Sequence, residues 1–284
     1  MAPRAAAFLA AALLFLPGPL RAAGDGRLEE RVTLTTEDGW NLNARYLAPA
    51  EGSPALVLLH TQKSDLTEWN DWFPAMKRMG LGYLALDFRG HGNSFITPDG
   101  STTSWKAFAI SGADNEYNRM LRDVEAALAF LSTNSVTADR VVLAGSVLGA
   151  NLAIKAAAIH QDVSMVIAIS PALNVNDVLS VNPLRLAYGK RPLLLVGGAD
   201  KERQYKEFLL LNDIARTACG RSNVTVIVEP KGIGPALVNK FNVRRILSWV
   251  SNPRLPEVVQ LSTAAFSDEG GQEEETEAQM PEYD

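Results

Sequence analysis

The sequence is poor in cysteine and in histidine, and each shortage excludes something. Cys219 is the only cysteine, so the chain can form no internal disulfide. The three histidines are His60, His91 and His160, and none follows position 160. Chemistry that needs a histidine late in the chain is therefore excluded, and stability has to come from a hydrophobic core.

Basic residues are missing from the C-terminal end. Residues 262–284 contain eight Asp and Glu side chains and no Lys or Arg. Few apolar residues accompany these acids, so we predict a disordered acidic tail over 262–284. The eight acids exceed the whole net charge of −5, which leaves residues 1–261 with a small positive excess. This near-neutral balance argues against nucleic acid as a partner.

The longest apolar run is too short to span a membrane. Residues 5–16 are twelve apolar residues, whereas a spanning helix needs about 20. Arg4 precedes the run, Pro17 ends it, and the small residues 22–24 follow. This arrangement predicts a signal peptide over 1–24 that is cleaved on export, and hence a secreted or periplasmic protein. An uncleaved interfacial anchor is the alternative.

The rest of the chain alternates between strand and helix patterns. Residues 31–36 and 40–47 predict an opening hairpin. Continuous apolar runs, typical of strands buried on both faces, follow at 55–60, 83–88, 141–144, 165–169, 192–196 and 224–228. Amphipathic stretches of helix length lie between or after them, at 67–79, 116–131, 148–159, 201–217 and 236–250.

This rhythm predicts an α/β domain over residues 28–252. We expect a mainly parallel twisted sheet with an N-terminal antiparallel hairpin and helices on both faces. Residues 95–113 and 172–191 do not fit the alternation, and the second stretch predicts a minimal cap. Both follow strand ends, where ligand sites form in open α/β sheets.

One strand-to-helix corner carries a glycine pattern with a missing group. Residues 145–149 read Gly-Ser-Val-Leu-Gly. Glycines four residues apart at such a corner form the frame of the G-x-S-x-G nucleophile elbow. In that frame the middle residue supplies the attacking oxygen, and here it is Val147.

Several segments together resemble the α/β-hydrolase superfamily, in particular its bacterial dienelactone-hydrolase-like and serine-aminopeptidase-like members. The matching segments are TTEDGWNLNARYLAP (35–49), PALVLLH (54–60), LALDFRGHGNS (84–94), RVVLAGSVLGANLAIKAAA (140–158) and RPLLLVGGADKE (191–202). The resemblance spans roughly residues 30–252 and implies an α/β-hydrolase fold acting on ester or amide bonds.

The resemblance implies a Ser-Asp-His triad that this chain cannot complete. In the superfamily the triad runs in the order Ser, Asp or Glu, His. The acid position falls on Asp200, which is retained, and the nucleophile position on Val147. The histidine position falls on Pro235, or on Gly234 if the gap is placed differently. Two of the three catalytic groups are therefore absent.

The neighbouring residues offer partial substitutes. Ser146 could act as an alternative nucleophile, but this frame puts Leu148 where the elbow needs a small residue. By resemblance the oxyanion hole would use the backbone N–H groups of Leu148 and of Thr61 or Gln62. His60 is a candidate base or ligand contact, although a structural role is the commoner interpretation.

Three functions remain open from the sequence. The first is an exported pseudoenzyme of the hydrolase fold that binds a small-molecule ligand or a protein partner. The second is a serine hydrolase, esterase-like or peptidase-like, working through Ser146 with Asp200 or His60. The third is an envelope interaction protein whose acidic tail makes the contact. We predict neither a metal site nor an organic cofactor.

Overall fold

Eight strands form one sheet within residues 26–253, which are the residues that the computed structural model describes. The strands are β1 (Glu29–Thr35), β2 (Asn41–Leu47), β3 (Ala55–Leu59), β4 (Gly82–Leu86), β5 (Val141–Ser146), β6 (Met165–Ile169), β9 (Leu193–Gly198) and β10 (Val224–Glu229). Two-residue strands β7 (Asn174–Val175) and β8 (Val178–Leu179) pair separately. The predicted signal peptide and acidic tail lie outside the described residues.

The sheet has the order β1-β2-β4-β3-β5-β6-β9-β10. The pairs β1–β2 and β2–β4 are antiparallel, and every other neighbouring pair is parallel. The prediction of a mainly parallel sheet opened by an antiparallel hairpin is confirmed. Since parallel strands meet with their carboxyl ends at one edge, the loops after β3, β5, β6, β9 and β10 lie together there.

Helices cover both faces of the sheet. They are α1 (Phe73–Arg78), α2 (Glu116–Arg119), α3 (Leu121–Thr133), α4 (Leu148–Ile159), α5 (Val181–Leu186), α6 (Glu202–Cys219) and α7 (Val243–Ser251). One core layer joins α1 and α7 to the sheet through Leu56, Leu58 and their neighbours. The other joins α3, α4 and α6 to the opposite side chains, such as Val57 and Leu59. The period of two along a strand produces this division.

Two helices are shorter than the sequence pattern predicts. The stretch 67–79 forms a 3-10 turn over Leu66–Trp69 and then α1, which has Pro74 in its first turn. The stretch 236–250 becomes helical only at Val243, after a 3-10 turn over Gly234–Leu237 that contains Pro235. Proline lacks the N–H that a continuing helix needs, so α1 starts late. Before α7, Asn239 Oδ1 accepts a hydrogen bond from Phe241 N at 2.9 Å, which holds a turn where the pattern predicts helix. No helix in the described part is long and apolar enough to cross a membrane.

A buried ion pair holds the loop after β4. The side chains of Arg89 and Asp123 are both fully buried, and Arg89 Nη2 lies 2.7 Å from Asp123 Oδ1. Arg89 Nη1 also binds Asp38 Oδ2 at 2.7 Å, in the turn between β1 and β2. One guanidinium therefore links the opening hairpin, the loop after β4 and α3.

Removal of this guanidinium is expected to destabilise the fold strongly. Arg89→Met leaves the Asp123 carboxylate buried and unpaired, which should cost about 3–5 kcal/mol of unfolding free energy. Urea unfolding measures the change. Arg119→Met is the matched control, because Arg119 pairs with Asp114 and Glu116 at the surface. That control should lose less than about 1 kcal/mol, and equal losses in the two variants would contradict the argument.

Candidate functional site

Val147 occupies a strained corner between β5 and α4. Its backbone has φ 48° and ψ −101°, a conformation that β-branched residues rarely adopt. Hydrogen bonds fix the corner on both sides: Val147 N donates to Ile169 O at 2.9 Å, and Asn151 N donates to Val147 O at 3.1 Å. The backbone geometry of a nucleophile elbow is thus present, with an isopropyl group in place of a nucleophile.

The two glycines of the corner are required by close backbone contacts. A Cβ on Gly145 would lie 2.1 Å from the carbonyl oxygen of Gly149. A Cβ on Gly149 would lie 2.0 Å from the carbonyl oxygen of Leu59, at the end of β3. Any larger residue would push α4 away from the sheet. The pattern read from the sequence therefore marks a real close approach of helix and strand.

The turn at the predicted histidine position packs directly on Val147. Gly234 has φ 55°, and a Cβ there would lie 2.7 Å from Val147 Cγ2. Gly234 N donates to Ser170 Oγ at 2.8 Å, which ties the turn to the end of β6. Pro235 follows in the 3-10 turn. Gly234 thus leaves no room for a side chain of its own beside Val147.

Asp200, the retained acid position, binds backbone. Its Oδ1 accepts a hydrogen bond from Gly232 N at 2.9 Å, and its Oδ2 lies 3.8 Å from Lys201 Nζ. In a working triad this carboxylate would orient an imidazole. Here it holds the loop after β10 instead.

Ser146 is fully buried on β5, and its hydroxyl is enclosed. A Cβ on Gly234 would lie 3.3 Å from Ser146 Oγ, so the Gly234 turn covers it. Ser146 Oγ forms no hydrogen bond within the described residues. His60, the candidate base, is not free to activate it, because both of its ring nitrogens are engaged. His60 Nδ1 lies 2.7 Å from Thr61 O, and His60 Nε2 accepts from Phe88 N at 3.1 Å.

Burial keeps His60 uncharged. Its side chain is fully enclosed, and this desolvation lowers its pKa to about 3, with the neighbouring His91 adding to the effect. A neutral imidazole that donates from one nitrogen and accepts at the other satisfies both contacts. His60 therefore joins β3 to the loop after β4 and has no lone pair left for catalysis.

Glu68 binds a backbone amide that the sequence resemblance assigns to the binding of a ligand. Its Oε2 accepts a hydrogen bond from Thr61 N at 3.1 Å, the backbone amide assigned by resemblance to the oxyanion hole. Burial raises the pKa of Glu68 to about 7, although Thr61 N and the nearby Ser146 hydroxyl oppose the rise. Glu68 Oε1 is buried without a hydrogen bond in the described part. A carboxyl group of the protein thus occupies the amide that the resemblance assigns to the oxyanion hole.

The other predicted oxyanion residues lie close by. Leu148 is the first residue of α4, where the backbone N–H has no partner within the helix. Gln62 Oε1 accepts from Asn176 Nδ2 at 2.8 Å, and its carbonyl oxygen lies 2.7 Å from His91 Nε2. Gln62 therefore connects the loop after β3 with the β7–β8 hairpin.

A small pocket opens on the other side of Val147. Its volume is about 90 Å³. The walls are mostly apolar and come from the ends of β6 and β9, from α6 and from the Gly234 loop. Lining residues include Val147, Ser170, Gly197, Gly198, Phe208 and Ile233. Val147 therefore contacts the Gly234 turn and also lines a narrow space beside it.

Nothing in the sequence indicated the roles of Glu68 and Ser170, or the packing of Gly234 against Val147. Glu68 follows Asp65 by three residues, a spacing that indicates a helix cap. Asp65 does cap the 3-10 turn, but Glu68 reaches back past it to Thr61. Ser170 ends an ordinary buried strand, and its positive φ of 51° leaves no trace in the sequence.

Comparison with known proteins agrees with this geometry. A family model described as serine aminopeptidase, S33 matches residues 51–201, which is more than half of the chain. The chain belongs to this serine aminopeptidase family. The match runs from just before β3 to the retained Asp200 and includes the Val147 corner. No functionally curated protein matches the sequence significantly.

Solved structures with the same fold include several esterases. An esterase from Pyrococcus furiosus aligns with a TM-score of 0.59 and 18% identity, over 80% of this chain and 91% of its own. An acetyl xylan esterase from Paenibacillus aligns at 0.58 and 16%, over 83% and 86%. A dienelactone hydrolase from Anabaena variabilis aligns at 0.58 and 14%, over 80% and 96%. The structural similarity supports the α/β-hydrolase fold, and identities this low support nothing beyond the fold.

Glycine at position 147 should relieve the strained corner. Strain of this kind costs about 1–3 kcal/mol, so Val147→Gly should leave the unfolding free energy unchanged within about 1 kcal/mol, or raise it. Val142→Gly is the control, because Val142 is buried on the preceding strand, β5, and its backbone has no positive φ. It should lose about 2–5 kcal/mol in urea unfolding. A comparable loss in Val147→Gly would show that the corner is not strained.

Ionisation of Glu68 should make stability depend on pH. Its pKa rises from 4.5 to about 7 on folding, so the folded state binds this proton more tightly than the unfolded chain. Stability is then expected to fall as pH rises from about 4.5 to 7, by about 2–3 kcal/mol at most. Glu68→Gln keeps an acceptor for Thr61 N and should remove this part of the slope. The exposed Glu51→Gln is the control and should follow the wild type in pH-dependent urea unfolding.

Proposed function

We propose that this protein is a pseudoenzyme of the α/β-hydrolase fold that binds a ligand or partner at the Val147 corner. The observation that carries the proposal is the contact between Val147 and Gly234. By the resemblance, position 147 would hold the nucleophile, and the imidazole position falls on Pro235 or on Gly234. Val147 and the Gly234 turn have neither a nucleophilic atom nor an imidazole, and they pack on each other.

Two further contacts support the loss of hydrolysis. Asp200 Oδ1 accepts a hydrogen bond from Gly232 N, so this carboxylate is engaged by the loop after β10 and not by a base. Glu68 lies on Thr61 N, so an acyl oxygen could bind this amide only by displacing the carboxylate. Asp200 and the Thr61 amide are therefore engaged elsewhere, while the Leu148 amide makes no such contact within the described residues.

The size of the pocket limits what can bind beside Val147. Its volume of about 90 Å³ is smaller than the roughly 150 Å³ of an apolar cavity that accepts benzene. A short apolar group fits this space, and the remainder of any larger ligand would lie outside it. We therefore favour a ligand or partner side chain that inserts a small apolar end at the corner.

One observation supports a second candidate, a hydrolase using Ser146. Its hydroxyl is close enough to Glu68 to lower the pKa of that carboxyl, and the resulting value of about 7 suits a general base. Against this, Ser146 is fully buried beneath Gly234 and has no path to a substrate in this conformation. We rank this function below the pseudoenzyme.

A fluorophosphonate probe separates the two candidates. The wild type and Val147→Ser should both remain unlabelled under conditions that label a competent serine hydrolase, because no imidazole lies beside position 147. Labelling of the wild type that disappears in Ser146→Ala would establish the second candidate instead. Slow ester turnover decides nothing here, since a site without its triad keeps about 10³–10⁴-fold catalysis over water.

We also propose that the chain is exported by its N-terminal segment. The apolar residues 5–16, preceded by Arg4 and followed by small residues at 22–24, support cleavage near position 24. N-terminal sequencing of the protein from a secreting host should give a mature chain that begins close to Asp25. An intact Met1 on protein recovered from the membrane fraction would support the interfacial anchor instead.

A further inference from the structure

A second cavity lies where β10 ends and α7 begins. Its volume is about 260 Å³. The lining comes from the end of β10, from the 3-10 turn that covers Val147 and from the first turn of α7. Lining residues include Glu229, Lys231, Leu237, Phe241, Asn242 and Arg245. This cavity is separate from the pocket beside Val147, which shares none of these residues.

The surroundings of this cavity are strongly basic. Lys231 and Arg245 line it. Lys240 precedes the lining residue Phe241 in the chain, and Arg244 lies in the first turn of α7, next to Arg245. Arg245 Nη1 pairs with Glu229 Oε1 at 3.3 Å. The other three cations form no ion pair with any residue in 26–253. We call these four cations, together with Phe241, the basic surface.

Phe241 adds an apolar element to the basic surface. Its side chain is 86% exposed, the largest such fraction among the big hydrophobic residues of the described part. Lys240 Nζ lies 5.3 Å from the centre of its ring. An exposed aromatic ring among unpaired cations is suited to a flexible acidic segment that carries some apolar groups.

The same chain contains an acidic segment with a few apolar residues, and the described part ends beside β10. Residues 262–284 hold eight acidic side chains and no basic one, together with Phe266, Met280 and Tyr283. The last described residue is Pro253, whose carbonyl oxygen accepts from Thr225 Oγ1 at 3.3 Å. Thr225 is near the amino end of β10, and the basic surface begins at its carboxyl end.

The chain length is sufficient to bridge the two ends of β10. This strand has six residues, which span about 20 Å at about 3.3 Å per residue. Fourteen residues separate Pro253 from Asp268, the first acid of the cluster. A flexible chain of that length covers about 20 Å on average, at about 5–6 Å multiplied by the square root of its residue number. The acids can therefore reach the basic surface without stretching.

We propose that the acidic tail, residues 262–284, binds back onto the basic surface of its own chain. Its carboxylates would neutralise Lys231, Lys240 and Arg244, and its apolar residues would cover Phe241. Leu237 belongs both to the cavity wall and to the 3-10 turn that packs on Val147. A bound tail would therefore stabilise this turn against Val147. The proposal concerns an interaction surface and stands independently of the proposed function.

Paramagnetic relaxation in the full chain tests this contact. A nitroxide is attached at Thr276→Cys, between two acids of the tail. Native Cys219 is fully buried, and burial raises its pKa to about 11, so the reagent reacts with the new thiol. At low salt we expect selective loss of amide signal at residues 231–245. Residues of β1, at the opposite edge of the sheet, should keep their signal.

Charge variants and salt give the controls. Lys240→Glu with Arg244→Glu should restore the lost signals, as should 1 M salt, where the Debye length falls to about 3 Å. Arg31→Glu with Arg185→Glu makes the same change in charge away from the basic surface and should leave the effect intact.

Three outcomes would overturn the proposal. The first is no selective loss at residues 231–245 at low salt. The second is a loss that persists in Lys240→Glu with Arg244→Glu. The third is a loss seen only when the nitroxide and the isotope are on different molecules, which would assign the contact to a second copy.

Discussion

The close approach of α4 to the end of β3 is the constraint on which this structure depends. Gly149 lies so near the carbonyl oxygen of Leu59 that a Cβ would come within 2.0 Å of it. This contact sets the start of α4 above the central strands and forces the left-handed backbone of Val147. It also brings the loops after β3, β6 and β10 close to one corner. This geometry depends on backbone and glycine alone, so it does not require a particular side chain at position 147.

Around that corner, the residues that the resemblance places at the positions of a serine hydrolase's groups make contacts within the protein. Val147 and Gly234 pack on each other, Asp200 binds a backbone amide, and Glu68 binds the amide of Thr61. Loss of the nucleophile alone would leave a vacant site with polar groups unsatisfied, which is costly when they are buried. Here most of those groups have partners within the described residues, and the exceptions are the Ser146 hydroxyl and Glu68 Oε1.

Much of the fold could be read from the sequence, because its signals are local. Continuous apolar runs marked the buried strands, and the Gly145–Gly149 spacing marked the corner. The late starts of α1 and α7 were harder, since the helical pattern continues through Pro74 and through the turn that Asn239 holds before α7. Glu68 could not be assigned to Thr61, because this contact depends on how the loop after β3 folds back. The absence of a late histidine needed no structure, but the closeness of Gly234 to Val147 did.

The position of Glu68 has a consequence for how this protein can recognise an acyl group. A carboxylate attached to the same chain acts as a competitor at an effective concentration in the millimolar range or above. Any ester, amide or free carboxylate that approaches Thr61 N must outcompete it, and a weakly bound one will not. Protonation of Glu68 weakens this competitor, so a mildly acidic medium favours entry of an outside oxygen atom. Selectivity at this amide is thus set by a group that the protein itself carries.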